Sequence, residues 1–160
     1  MARRTLKRTL AIDPTREGFA YVLLEESALL DWGQANIHSK QDRDFVARVF
    51  LLVDKCRPHL LVLEGPEGSR RGDRARRRLH KTERHAALRK LPVAIVTRPE
   101  MRERFSHVGK SKWEIARALA SRYPELEWKL PPRRKPWQSE DERMNIFDAL
   151  SMAVTALESQ

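Results

Sequence analysis

Three carboxylates in this sequence stand against apolar runs in positions that suit metal-assisted chemistry. Asp13 closes the run Thr9–Ile12 and precedes Pro14, and Glu64 closes Leu60–Leu63 and precedes Gly65-Pro66. Both runs have the length and composition of strands. If those strands are neighbours pointing the same way, the two acids emerge at one edge of a sheet, where α/β proteins build their sites. Taken singly, each acid also fits an ordinary turn, since Asp before Pro and Glu before Gly-Pro accept backbone hydrogen bonds. Asp148 interrupts Ile146-Phe147-Asp148-Ala149-Leu150, and Ser151–Val154 continues the apolar character, which places it on or beside a buried helix face. A buried carboxylate is costly unless paired or coordinated to a cation. Two readings are therefore open for Asp148: a salt bridge to a partner such as Arg143, or a share with Asp13 and Glu64 in one cation site.

The elements that must position these acids follow from the periodicity. Thr9–Ile12, Phe19–Leu24 and Ala28–Ile37 read as an antiparallel meander whose first turn spans Pro14 to Gly18. Phe45, Val46, Val49, Phe50, Leu52 and Val53 recur at helical spacing from Asp42 to Cys56, closed by Arg57-Pro58. Leu60–Leu63 is a strand buried on both faces, and Val93–Val96 is a fifth strand. Between them runs an arginine-dense stretch, loop and then helix. Pro99–Phe105 forms a short helix, and Trp113, Ile115, Ala116, Leu119 and Ala120 mark another that ends near Tyr123-Pro124. The final helix is expected to open with a capping box of Ser139 and Glu142 and to run to about Leu157. The expected class is α/β, with a mixed five-stranded sheet, antiparallel in its first three strands and then parallel, flanked by helices. Residues 1–160 read as one domain, with a basic insertion around 66–90 and a proline-rich basic linker around 130–138.

Composition narrows the partners. The chain has 160 residues, 41% hydrophobic and 34% charged, with a formal net charge of +10. Such a surface attracts polyanions, nucleic acid foremost. No run is long enough to span a bilayer, and the N-terminal apolar segment is cut short by Asp13-Pro14, so no membrane partner is expected. A single cysteine, Cys56, forms no intrachain disulfide, and with no export signal the expected location is cytoplasmic. The five histidines do not fall into zinc spacing with each other or with Cys56.

Ala11-Ile12-Asp13-Pro14 with Gly18-Phe19-Ala20-Tyr21, then Leu61-Val62-Leu63-Glu64, and finally Phe147-Asp148-Ala149-Leu150-Ser151-Met152-Ala153 together resemble the RuvC-type Holliday junction resolvases of the RNase H-like superfamily. The resemblance spans nearly the whole chain. It implies an RNase H-like fold and a catalytic set of Asp13, Glu64 and Asp148 that binds two Mg2+ ions, with Mn2+ as an alternative, around a scissile phosphate. Two such cations, roughly 4 Å apart, activate the attacking water and stabilise the leaving oxygen. It also implies a catalytic or phosphate-holding lysine near Lys110, and a homodimer matching a two-fold junction.

The sequence departs from that pattern in two places. Where the family has a second acid three residues before the position of Asp148, this chain has Asn145, an amide that can ligate but brings no charge. Asp141, two helical turns before Asp148 on an extended final helix, would compensate as a metal ligand, or would instead favour the helix N-terminus. The aromatic that follows the strand-four acid in the family has no match in Gly65-Pro66-Glu67-Gly68.

Arg70, Arg71, Arg74, Arg76, Arg77, Arg78, Lys81 and Arg84 crowd a segment whose own opposing acids are Asp73 and Glu83. Because the segment begins just beyond Glu64, it is expected to lay a phosphate backbone over the carboxylates without reading sequence. Lys112, at the start of the Trp113 helix, and Arg133, Arg134 and Lys135 add to this nucleic-acid surface. Trp137 beside them either stacks on a base or anchors the linker from a buried position. Two functions follow as expectations: a structure-selective, metal-dependent endonuclease acting on branched DNA, or a non-catalytic or RNA-directed binding protein of the same fold, for example in ribosomal RNA processing.

Overall fold

The computed structural model describes Ala2 and residues 4–159. Strands β1 (Arg8–Pro14), β2 (Gly18–Glu25) and β3 (Ala28–Asn36) form the meander, and helix α1 (Asp42–Cys56) follows. Strand β4 (Leu60–Glu64), helix α2 (Asp73–Leu88), strand β5 (Val93–Val96) and the short helix α3 (Arg98–Arg104) come next. Helix α4 (Lys112–Arg122), a 3-10 turn (Pro124–Lys129) and helix α5 (Met144–Glu158) complete the chain.

The sheet has the order β3-β2-β1-β4-β5, with β1–β2 and β2–β3 antiparallel and β1–β4 and β4–β5 parallel. This is the mixed α/β arrangement expected from the sequence. Strands β1 and β4 are buried on both faces, so their runs are continuously apolar, whereas the edge strand β3 has partly exposed residues along most of its length. Alternation along β1 and β4 divides the core in two. Leu10, Ile12, Leu61 and Leu63 face α1 and α2, while Ala11 and Val62 face the side occupied by α3, α4 and α5.

Residues 73–88, expected within an insertion, supply the crossover helix of the parallel β4–β5 pair. Leu79 and Ala86 of α2 enter the core shared with α1, so this helix is part of a packed layer. Among the described residues no helix is long and apolar enough to cross a membrane.

The start of α5 differs from expectation. It begins at Met144 with no side-chain cap, and Ser139 and Glu142 form no capping box. A local alternative wins: Asp141 Oδ1 accepts from the Arg143 backbone N–H at 2.9 Å, and its carbonyl accepts from Met144 N–H at 3.0 Å. A short acidic side chain satisfied by its own neighbours competes with an earlier helix start. The capping box occurs instead at α3, where Thr97 and Glu100 cap each other's backbone N–H groups.

Candidate active site

The β1–β4 register pairs Thr9 with Leu60 and Ala11 with Val62. Continued by two residues, it brings Asp13 level with Glu64 at the C-terminal ends of parallel neighbours. Both side chains share the face of Ala11 and Val62, the face on which α5 lies. α5 is apolar almost all round, and Asp148 is its one buried carboxylate, 7% exposed. Asp13 and Glu64 are more deeply buried still.

Cations hold these three acids together. The Arg71 guanidinium bridges Asp13 and Glu64, and its Nη1 also donates to the Pro14 carbonyl at 2.8 Å. Arg98 lies with Nε 2.5 Å from Glu64 Oε1 and Nη1 3.6 Å from Asp148 Oδ1, so one side chain spans the strand-end acid and the helical one. Lys112 Nζ lies 3.3 Å from Asp148 Oδ2 and 3.4 Å from Glu140. The acids thus face one another across a few ångströms of positive charge. Arg143, offered as a partner for Asp148, is instead tied to Asp141 at 2.7 Å.

Burial pushes the Asp13 carboxyl up to about 7 from its ordinary 3.8, with Asp148 and Glu64 adding to the rise and Arg71 and Arg98 opposing it. For Arg71, burial disfavours the charged form, yet Asp13 and Glu64 hold the guanidinium above its ordinary range. Burial therefore tolerates the Asp13 charge only with cations close by.

These donors suit a divalent metal in kind. Hard carboxylate oxygens match Mg2+ or Mn2+, and buried Glu64 Oε1 accepts no hydrogen bond, the nearby Arg98 Nε being misdirected for one. In this conformation, however, the described residues include no cluster of three or more His, Cys, Asp or Glu side chains gathered for ligation. Arg71 and Arg98 stand where an ion shared by the three acids would go. An ion there would require both guanidiniums to withdraw; Arg71 sits on the loop between β4 and α2, where two glycines fix the path of the backbone. Gly65 passes so close to β5 that a Cβ there would lie 2.7 Å from Ile95 Cγ2, and Gly68 takes a positive φ of 70°.

The other expected site residues divide. Asn145 lies one turn before Asp148 on α5 and is half-buried. Asp141 precedes the helix, so it does not share a helical face with Asp148, and the Arg143 side chain holds its carboxyl down at about 2. Lys110 lies in the loop before α4 and lines the cleft of Arg98, Lys112 and Asp148. The ammonium on the acid, though, is that of Lys112. Arg78 is a correction: it is buried, stacks over the Phe45 ring at 5.1 Å and lies 3.3 Å from Asp42, so it serves packing and presents no surface to a phosphate. Arg77 and Lys81 join it on Asp42 at 3.2 and 3.3 Å while keeping solvent exposure. Arg70, Arg74, Arg76 and Arg84 are exposed.

Sequence reasoning missed Arg98 in this site. The signal was indirect: β5 pairs with β4 so that Val96 sits opposite Glu64, and the residue two positions on falls at the same edge. The capping box then fixes Arg98 in the first turn of α3.

A mixed sheet of this order, with helices on both faces and acids ending β1 and β4, defines an α/β protein of the RNase H-like fold. Solved structures share this fold. A Thermus thermophilus RuvC in complex with a Holliday junction substrate matches with a TM-score of 0.67 at 16% identity, covering 96% of this chain and 94% of that one. Another Thermus thermophilus RuvC structure matches at 0.66 and 17% identity, covering 95% of each chain. The fowlpox virus Holliday junction resolvase matches at 0.55 and 12% identity, over 96% of this chain and 99% of that one. In fold, then, the chain is RuvC-like. Its sequence matches no family model and no curated protein.

Proposed function

We propose that this protein is a divalent-metal-dependent, structure-selective endonuclease that hydrolyses phosphodiester bonds in branched DNA. The observation that carries the reading is the convergence of Asp13, Glu64 and Asp148, from β1, β4 and α5, on shared cations at one sheet edge. The likeness in fold to a RuvC solved with a Holliday junction supports the substrate class.

In this reading Asp13, Glu64 and Asp148 hold the metal, with Asn145 as a neutral oxygen donor one turn from Asp148. When bound, Mg2+ or Mn2+ supplies an acidified water and neutralises charge on the departing oxygen. The chain's own groups do the rest. Arg71, released from Asp13 and Glu64, presents a planar fork suited to a phosphate oxygen pair. Lys112 and Lys110 flank Asp148 in the same cleft and can hold the next phosphate. Exposed Arg70, Arg74, Arg76 and Arg84 bind backbone without reading sequence.

Two observations favour the non-catalytic form of the alternative, a non-catalytic or RNA-directed binding protein: guanidiniums already neutralise the acids, and Asn145 brings no charge. The test is incubation of labelled four-way junction, flap, duplex and structured RNA with the protein in Mg2+ or Mn2+, beside Asp13→Asn and Asp148→Asn. Cutting of branched DNA that both variants lose, with binding retained, supports the nuclease. Binding without cutting in either metal replaces it with the alternative.

A further inference from the structure

Trp137 is one of the most exposed large apolar residues among those described, at 78%, and it sits between the basic run Arg133-Arg134-Lys135 and the start of α5. The linker does not need it as an anchor. That role belongs to Trp113, whose Nε1 donates to the Pro131 carbonyl at 2.9 Å while Arg133 stacks on its ring at 5.6 Å. Trp137 is instead displayed on a hydrogen-bonded turn. Gln138 Oε1 accepts from Lys135 N–H at 2.9 Å, Gln138 N–H donates to the Lys135 carbonyl at 3.0 Å, and Arg134 Nη1 reaches the Gln138 carbonyl at 3.2 Å. The Lys135 ammonium stands over the indole, 5.4 Å from its centre.

This turn adjoins the acids through a continuous surface. Trp137, Arg133, Arg134 and Glu140 line one open cleft. Arg133, Arg134 and Glu140 line a second together with Lys112, and Lys112 is the residue on Asp148. The path from Asp148 to the indole passes Lys112, Arg133, Arg134 and Arg143 and, among them, Glu140, Asp141 and Glu142. Lys112 is paired to Glu140, Arg133 to Glu114 and Arg143 to Asp141, so among the described residues Arg134 and Lys135 carry its unopposed charge.

We infer that Trp137 is a stacking platform for a nucleobase left unstacked at a branch next to the cleavage site, with Arg133, Arg134 and Lys135 holding the adjoining phosphates. The inference rests on the nuclease reading and adds to it what the protein recognises in a branch. An indole offers no pattern of donors that tells one base from another, but any base with a free face can stack on it, with the nearby ammonium reinforcing the contact. In continuous duplex every base face is already covered. A branch point or flap exposes one, so the residue selects for structure and against plain duplex.

The experiment measures binding in EDTA, where cleavage plays no part, by anisotropy on a four-way junction, a flapped duplex and plain duplex. Trp128 supplies the control, being 70% exposed with Lys129 over its ring at 4.8 Å, on the 3-10 turn and lining neither cleft. Trp137→Ala is expected to weaken branched DNA about tenfold and leave duplex within about twofold, Trp137→Phe to recover part of the loss, and Trp128→Ala to change neither. Irradiation of 5-iodouracil placed at the branch should cross-link Trp137 in the wild type. Equal losses on duplex and branch, no loss at all, no preference of the wild type for branches, or a cross-link that maps elsewhere would each overturn the inference. Its failure is separable from that of the nuclease. Junction binding that depends on Trp137 without cutting in Mg2+ leaves the platform standing and removes the nuclease, and cutting that Trp137→Ala retains in full does the reverse.

Discussion

Arg71→Ala is the most informative single change, because one guanidinium neutralises two buried carboxylates. Asp13 and Glu64 have side chains 1% and 0% exposed, and Arg71 itself is 15% exposed, so solvent cannot take over its role. Removing one partner of a buried ion pair costs about 3–5 kcal/mol. Arg98 stays on Glu64, which puts the expected loss at the lower end, about 3 kcal/mol, or a fall in Tm of about 6–12 °C for a chain of this size. The loss should depend on pH. Below the Asp13 value of about 7 that carboxyl takes up a proton and needs its partner less, so the deficit at pH 8 exceeds that at pH 6. It should also depend on metal. With the guanidinium gone, millimolar Mn2+ finds its place vacant and should restore more stability to the variant than it adds to the wild type. The assay is thermal melting of both proteins at pH 6 and pH 8, in EDTA and in Mn2+. A deficit that is the same at both pH values and indifferent to Mn2+ would mean that Arg71 acts through packing alone.

Three further outcomes follow from the same geometry. In EDTA the stability of the wild type should fall as pH rises from about 4 to about 7, because folded Asp13 holds a proton that the unfolded chain has released; Asp13→Asn should flatten denaturant-measured stability across that window. Arg78→Ala should cost about 1–2 kcal/mol by chemical denaturation, Arg77 and Lys81 remaining on Asp42, and leave the salt dependence of DNA affinity unchanged, since that side chain is committed to Asp42 and Phe45. Replacing Arg70, Arg74 and Arg84 together should instead leave stability within about 1 kcal/mol and reduce the slope of log affinity against log salt by up to about 3; an unchanged slope would move the phosphate surface elsewhere.

How far the sequence could be read depended on the range of the interactions involved. Asp13, Glu64 and Asp148 were legible because each breaks a strong local apolar pattern, and the β-then-α periodicity limited how those runs could be assembled. Arg98 was not legible, since nothing local distinguishes it from the other arginines and only the β4–β5 pairing brings it to the edge. Asp42 was hidden for the same reason. It lies 35 to 39 positions from Arg77, Arg78 and Lys81, so a basic run that looked unopposed along the chain is partly neutralised in space. The start of α5 was misjudged because Ser139 and Glu142 carry the same spacing as Thr97 and Glu100. The difference lies in Asp141, whose contacts with Arg143 and Met144 satisfy the backbone before a helix can begin. Trp137 was open between two roles, and the hydrogen bond of Trp113 to Pro131 decides which tryptophan anchors the linker.

On the proposed reading, Asp13, Glu64 and Asp148 share a divalent cation once Arg71 and Arg98 give way. Calorimetric titration of Mn2+ into the wild type and into Asp13→Asn, Glu64→Gln and Asp148→Asn measures this sharing. Saturable binding that each substitution weakens at least tenfold is the predicted result. Binding as tight in all three variants as in the wild type would contradict it, because the ion would then be held by other groups.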